Sequence, residues 1–224
     1  MINTNLFAFL CSVILAANIS YADAVYIKNF SIDRTEVTVG SFAEYSELEG
    51  IVTKAEKYGG GYEWAAGWKR RSGWNYKSPQ GKVAAFDEPA VHVTWDEASA
   101  YCAYSGGRLP TRDEWILSAY TELRDEPDGE YQTGKVYRYP IGDTPAGMNN
   151  NRSHHLSVKT TPKGVNGLFD MGGNVWEWLA DRHEDEALTA GGSWWYGPEK
   201  ATVNGLQWKP TDFYAVYIGF RCVY

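Results

Sequence analysis

The reading turns on Gly167-Leu168-Phe169-Asp170-Met171-Gly172-Gly173-Asn174-Val175-Trp176-Glu177-Trp178. The stretch holds two carboxylates, a Gly-Gly pair and two tryptophans flanking Glu177. It lies after Asp125, where the chain is rich in Gly, Pro, Asn and Asp and carries only short apolar runs. Upstream the local signals are plainer. Thr94-Trp95-Asp96-Glu97 has the form of a capping box and predicts a helix with Trp95, Ala98 and Cys102 on one face. Gly106-Gly107 ends that helix. Thr111-Arg112-Asp113-Glu114 repeats the pattern, and Trp115 with Ala119, and Ile116 with Tyr120 and Leu123, supply an apolar face. Val25 to Ile32 alternates and predicts a strand, and Thr38 caps a short helix through Val39, Phe42 and Ala43. Residues 57–88 hold Trp64, Trp68 and Trp74 with no lasting period and predict a long ordered loop. With no repeat and no linker, the pattern predicts one α+β domain of low regular content.

Composition agrees with a globular chain. Its 224 residues are 44% hydrophobic and 22% charged, unlike a disordered segment. Aromatic residues are unusually dense at 15%, with 10 Trp and 16 Tyr. The net charge is −7, and Lys69-Arg70-Arg71 is the one basic run, so nucleic acid is a poor partner. Three cysteines are too few for a disulfide-built mini-scaffold or a four-cysteine zinc site.

Leu6 to Ala17 is apolar except for Ser12, too short for a membrane span and followed by Ser20-Tyr21-Ala22. Residues 1–22 therefore read as a secretory signal, although no Lys or Arg precedes Leu6. A bulky Leu10 before Cys11 argues against a lipoprotein site. Residues 23–224 then form the mature domain, which is periplasmic or secreted and has no membrane span after cleavage. It keeps two cysteines, Cys102 and Cys222. An even count in an exported protein suggests a disulfide; two separate buried thiols is the other reading.

Blocks in order carry a resemblance. They are Ile32-Asp33-Arg34-Thr35-Glu36-Val37-Thr38, Pro89 to Trp95, Gly107 to Trp115, the opening stretch, Gly191-Gly192-Ser193-Trp194 and Gly219-Phe220-Arg221-Cys222. Together they resemble the formylglycine-generating enzyme (sulfatase-modifying factor) family across nearly the whole mature chain. The resemblance implies a C-type-lectin-like α+β fold with little regular structure and a Cys102–Cys222 pair. Family enzymes oxidise a sulfatase cysteine to formylglycine, using oxygen and copper held by two cysteines. Those positions correspond here to Tyr196 and Ala201. A phenol and a methyl group do not capture Cu(I), so copper chemistry is not expected.

The resemblance also implies a structural calcium on the Asp170 and Glu177 side chains and the Gly173 and Val175 carbonyls, a hard-oxygen set suited to that ion. A second family calcium site needs acidic residues that 149–169 lack. It implies as well a substrate pocket at Trp176 and Ser193, which Trp194, Trp195 and Tyr196 would extend. Stacked rings with a few polar handles suit peptides, sugars or flat compounds, or else simply fill the core. The histidines carry less. His92 between two valines reads as an extended core-edge residue, His154-His155 would face opposite sides, and His183 lies in an acidic loop. Gly-Gly-Ser-Trp-Trp is not a nucleophile elbow. Catalytic residues are not assigned. Two functions are expected: an exported accessory protein that matures another exported protein or a metabolite without a cysteine pair, or a non-catalytic peptide- or glycan-binding module.

Overall fold

The computed structural model describes residues 23–224, so the signal expected at 1–22 lies outside the described residues. Mixed short helices and small sheets are joined by long irregular segments. The main sheet has four strands in the order β7-β6-β5-β8: β5 is Trp176–His183, β6 Glu186–Ala190, β7 Gln207–Pro210 and β8 Ile218–Gly219. Neighbours run antiparallel except β5 and β8, which pair in parallel through Trp176↔Ile218 and Glu177↔Gly219. The motif that opened the sequence reading thus feeds directly into the central strand.

The segment expected as one strand, Val25 to Ile32, is a hairpin instead. β1 (Ala24–Ile27) and β2 (Phe30–Asp33) are joined by a two-residue turn with Lys28 at φ 53°. Both turn residues are polar and end the apolar alternation. Helix α1 (Val39–Leu48) is capped by Thr38, whose side chain accepts from the Ser41 amide. Helices α3 (Trp95–Tyr104) and α4 (Arg112–Tyr120) begin with full capping boxes from Thr94/Glu97 and Thr111/Glu114. Each box satisfies two amides that the first helical turn leaves unpaired. A further box, Thr53/Glu56, starts the one-turn helix α2 (Lys54–Lys57).

The segment at 57–88 is not irregular throughout. β3 (Gly60–Trp64) and β4 (Trp68–Ser72) form a separate antiparallel hairpin, turned at Ala66 (φ 52°) and Gly67 (φ 126°). One face of it rests on His92: a Cβ at Gly61 would collide with the imidazole ring. His92 itself is fully buried and left-handed (φ 58°), not extended as expected, and its Nε2 meets the Pro79 carbonyl at 2.9 Å. Burial holds its pKa down, at about 4.

Two large apolar clusters, and a small one of Tyr139, Met148 and Ala201, fill the described residues. The largest joins α1 and α3 to Trp176, Trp178, Phe220 and the Cys102–Cys222 disulfide; the second packs β1, β2 and α4 around Trp115 and Leu179. The disulfide spans 120 residues and ties α3 to the segment after β8. Val223 bridges both Ile32 and Arg108, so that segment also holds β2 and the start of the loop before α4. Among the described residues no helix is long and apolar enough to cross a membrane.

Candidate functional site

The motif builds a buried polar centre. Glu177 is fully buried beside Arg221. Arg221 Nη2 donates to Glu177 Oε1 (2.7 Å), and Arg221 Nε and Trp115 Nε1 donate to Oε2 (2.8 and 2.7 Å). The guanidinium also donates to the carbonyls of Asp33 and Phe169. Asp170, at φ 59°, accepts from Thr161 Oγ1 (2.6 Å) and the Lys159 amide (3.0 Å). Asn174 is the hub: its Nδ2 donates to Glu36 Oε1 (2.9 Å), and its Oδ1 accepts from Asn149 Nδ2 (2.9 Å) and the Leu156 amide. Glu36 Oε2 and Asn149 Oδ1 remain buried without a protein partner.

Sequence reasoning missed Glu36 and Asn149. Burial, and then the charge of Asp170, push the Glu36 carboxyl well above the usual range. Burial also raises Asp170. Three buried carboxyls face one guanidinium, and their oxygens are the donor element that a hard cation takes. The oxygens in need of a partner, however, belong to Glu36 and Asn149. Those of Glu177 are committed to Arg221 and Trp115, and those of Asp170 to Thr161 and Lys159. Among the described residues no three Asp, Glu, His or Cys side chains converge to hold a metal, so carbonyl oxygens such as those of Gly173 and Val175 would have to complete any shell.

Of the five residues expected to line a pocket, three are core and Trp195 is exposed. Trp176, Ser193 and Trp194 are buried, with the indole nitrogens of both tryptophans unpartnered. Ser193 Oγ accepts from the Trp195 amide (3.4 Å), which marks it as a turn-holding hydroxyl. Tyr196 is half-buried and meets Trp176 edge-on at 5.5 Å. Above the Trp176 ring, 4.4 Å from its centroid, lies Lys209 Nζ, bonded to Gln207 Oε1 (3.0 Å). Burial and then the charge of Lys200 bring its pKa down to about 8. Ala201 is buried, and its carbonyl accepts from Tyr120 (3.2 Å). With Cys102 and Cys222 tied to each other, these residues do not fit a copper–thiolate centre.

Cavities lie elsewhere. One of about 490 Å³ is lined by His154, His155, Glu88, Lys82 and Ser157 among others. His155 is buried there with Nε2 2.9 Å from Glu88 Oε2, while His154 is exposed with Nδ1 on Ser153 Oγ. The two rings thus differ in environment, yet both line one cavity. A cleft of about 320 Å³ runs between the β3–β4 hairpin and residues 212–214, walled by Tyr58, Tyr62, Trp68, Phe213 and Tyr214 with Lys54, Arg70 and Asp212. The expected pocket and this cleft are joined by rings. Tyr217 lies 6.2 Å from Trp68, 6.1 Å from Trp195 and 5.0 Å from Trp194.

Comparison with known proteins places this geometry. The family described as "Sulfatase-modifying factor enzyme 1-like domain" matches residues 16–224. The mouse protein named inactive C-alpha-formylglycine-generating enzyme 2 is 29% identical over 90% of this chain and 77% of its own length. The formylglycine-generating enzyme of Streptomyces coelicolor is 31% identical over 70% of this chain, which spans 59% of that enzyme's length. In fold, the chain is similar to PvdO from Pseudomonas aeruginosa, with a TM-score of 0.62 at 19% identity, covering 87% of this chain and 79% of that one.

Proposed function

Because this chain belongs to the sulfatase-modifying factor enzyme 1-like family, we propose that it is an exported accessory protein that matures another exported protein or a metabolite without a copper–cysteine centre. One observation carries the reading. The described thiols close a disulfide, and the family resemblance puts Tyr196 and Ala201, neither of them a thiol, where the copper ligands would stand. The family holds both a relative named an enzyme and one named inactive, so membership is compatible with loss of that chemistry. Export to the periplasm or the medium is supported by the apolar run Leu6–Ala17 and by a disulfide of a kind that persists in oxidising compartments.

The test is metal analysis of the purified mature protein and incubation with Cu(I), oxygen and a cysteine-containing peptide. We expect no copper at stoichiometry and no aldehyde on the peptide; formylglycine formation would overturn the reading. The proposal includes a structural calcium at the 170–177 segment, supported by three buried carboxyls, Glu36, Asp170 and Glu177, against the one guanidinium of Arg221. A chelator should lower the melting temperature, and an unchanged melt in excess chelator removes the ion from the proposal. A second reading, a non-catalytic binding module, is favoured by the open aromatic cleft of the β3–β4 hairpin.

A further inference from the structure

The β3–β4 hairpin sorts its side chains by face. Cross-strand partners Tyr62↔Arg70 and Trp64↔Trp68 share one face, since side chains alternate along a strand. Glu63, Lys69 and Arg71 lie on the other, where Arg71 is ion-paired with Glu63. The first face is open. Trp64 and Trp68 are 45% and 44% exposed, although they pack edge-on at 5.5 Å, and Trp68 meets Phe213 at 4.7 Å. Rings held in place by one another yet left in solvent form a rigid platform that folding has not consumed.

The polar groups of the cleft are also unspent. Lys54 is paired with Asp212 (2.9 Å), but the Arg70 guanidinium has no ion pair or hydrogen bond among the described residues. The hydroxyls of Tyr58, Tyr62 and Tyr214 likewise meet no protein partner. In a chain of net charge −7, an uncompensated arginine beside exposed indoles is a local reversal of sign.

From this juxtaposition we infer that the cleft is a binding site for a carboxylate-bearing sugar chain. A sugar ring has an apolar C–H face, which lies flat on indole or phenol, and a rim of hydroxyls, which the three tyrosine hydroxyls can meet. Arg70 supplies the planar fork that a uronic-acid carboxylate fits. An extended acidic peptide is the less suitable guest. Adding a strand would use the outer edge of β4, which carries Lys69 and Arg71, and charged side chains guard an edge against pairing. The inference deepens the binding-module reading and rests on it.

The experiment titrates the mature protein with a galacturonic-acid tetrasaccharide, following tryptophan fluorescence and calorimetry. A neutral glucose tetrasaccharide and a glutamate-rich peptide of equal charge run in parallel. The acidic sugar should bind and weaken as salt rises. Arg70→Gln should weaken it about tenfold while leaving the melting temperature unchanged, and Trp68→Ala should weaken it by a similar factor. Absence of binding, or binding that neither variant alters, overturns the inference. Binding of the peptide alone, sensitive to both variants, also overturns the sugar but leaves the binding module standing.

Discussion

The 170–178 segment and the 60–72 hairpin use the same side chains to opposite ends. Each holds two tryptophans, at least one carboxylate and a basic partner. In the first, Trp176, Trp178, Glu177 and Arg221 are buried, and the Glu177 carboxylate is paired with the Arg221 guanidinium. In the second, Trp64, Trp68 and Arg70 face solvent, and only Glu63 with Arg71 is paired. A tryptophan-rich sequence is therefore ambiguous in itself. The partner decides whether a residue is framework or working surface, and partners here lie far along the chain. Arg221 is 44 residues from Glu177, and Phe213 closes on Trp68 from a separate segment.

The contrast can be broken most directly at Glu177. Glu177→Ala strands a fully buried guanidinium and should cost about 3–5 kcal/mol or prevent folding, as read by urea unfolding. A loss below about 1 kcal/mol would mean that Arg221 finds water or another carboxylate. Next in size is the disulfide. Cys102→Ala with Cys222→Ala should cost about 2–5 kcal/mol in the same assay, with the secondary structure of the refolded protein unchanged by circular dichroism.

Asp33 gives a smaller effect with a definite sign. Burial, opposed by the Cys222 amide on its Oδ2 (2.9 Å), raises its pKa to about 6. The folded state therefore holds a proton between the unfolded value near 3.8 and about 6. Stability contributed by this group is greatest at low pH and is lost as pH rises through that window. The melting temperature should rise on acidification from pH 7 to pH 5, and Asp33→Asn should flatten that rise. Below pH 4 the trend reverses. Arg108 holds Glu114 down, at about 2, and its stabilising charge disappears as pH falls through that value. The smallest effect belongs to the hairpin. Arg70→Gln should change unfolding stability by no more than about 0.5 kcal/mol, since the side chain touches nothing that folding needs. A large loss there would return the hairpin to the framework.

What was legible in the sequence was local. Thr94 with Glu97, and Thr111 with Glu114, announce helix starts because both members of each box lie within one turn. The α+β class and the sulfatase-modifying factor family were legible as well, through ordered blocks spread over the chain. The hairpin at 60–72 was hidden because β4 reads Trp-Lys-Arg-Arg-Ser, with no apolar alternation; Gly67 at the turn was the available signal. Glu36 looked like an ordinary polar residue in Thr35-Glu36-Val37. Its burial depends on Asn174, 138 residues away, and no short-range pattern encodes that. His92 between two valines mimicked a strand, while its left-handed backbone and the contact with Gly61 are tertiary facts.

The clasp made by residues 218–224 bears on how the molecule is made. β8 completes the sheet on β5, Cys222 locks α3, and Tyr224 exchanges backbone hydrogen bonds with Ser31. Helix α3 is thus synthesised about 120 residues before the segment that fastens it. During synthesis Cys102 stays without its native partner until Cys222 follows, 120 residues later. Contacts of such long range slow folding and prolong exposure of the aromatic interior. A factor that shields the Cys102 thiol and the aromatic interior until residues 218–224 arrive would therefore raise the yield of native protein more than one that acts on the finished chain.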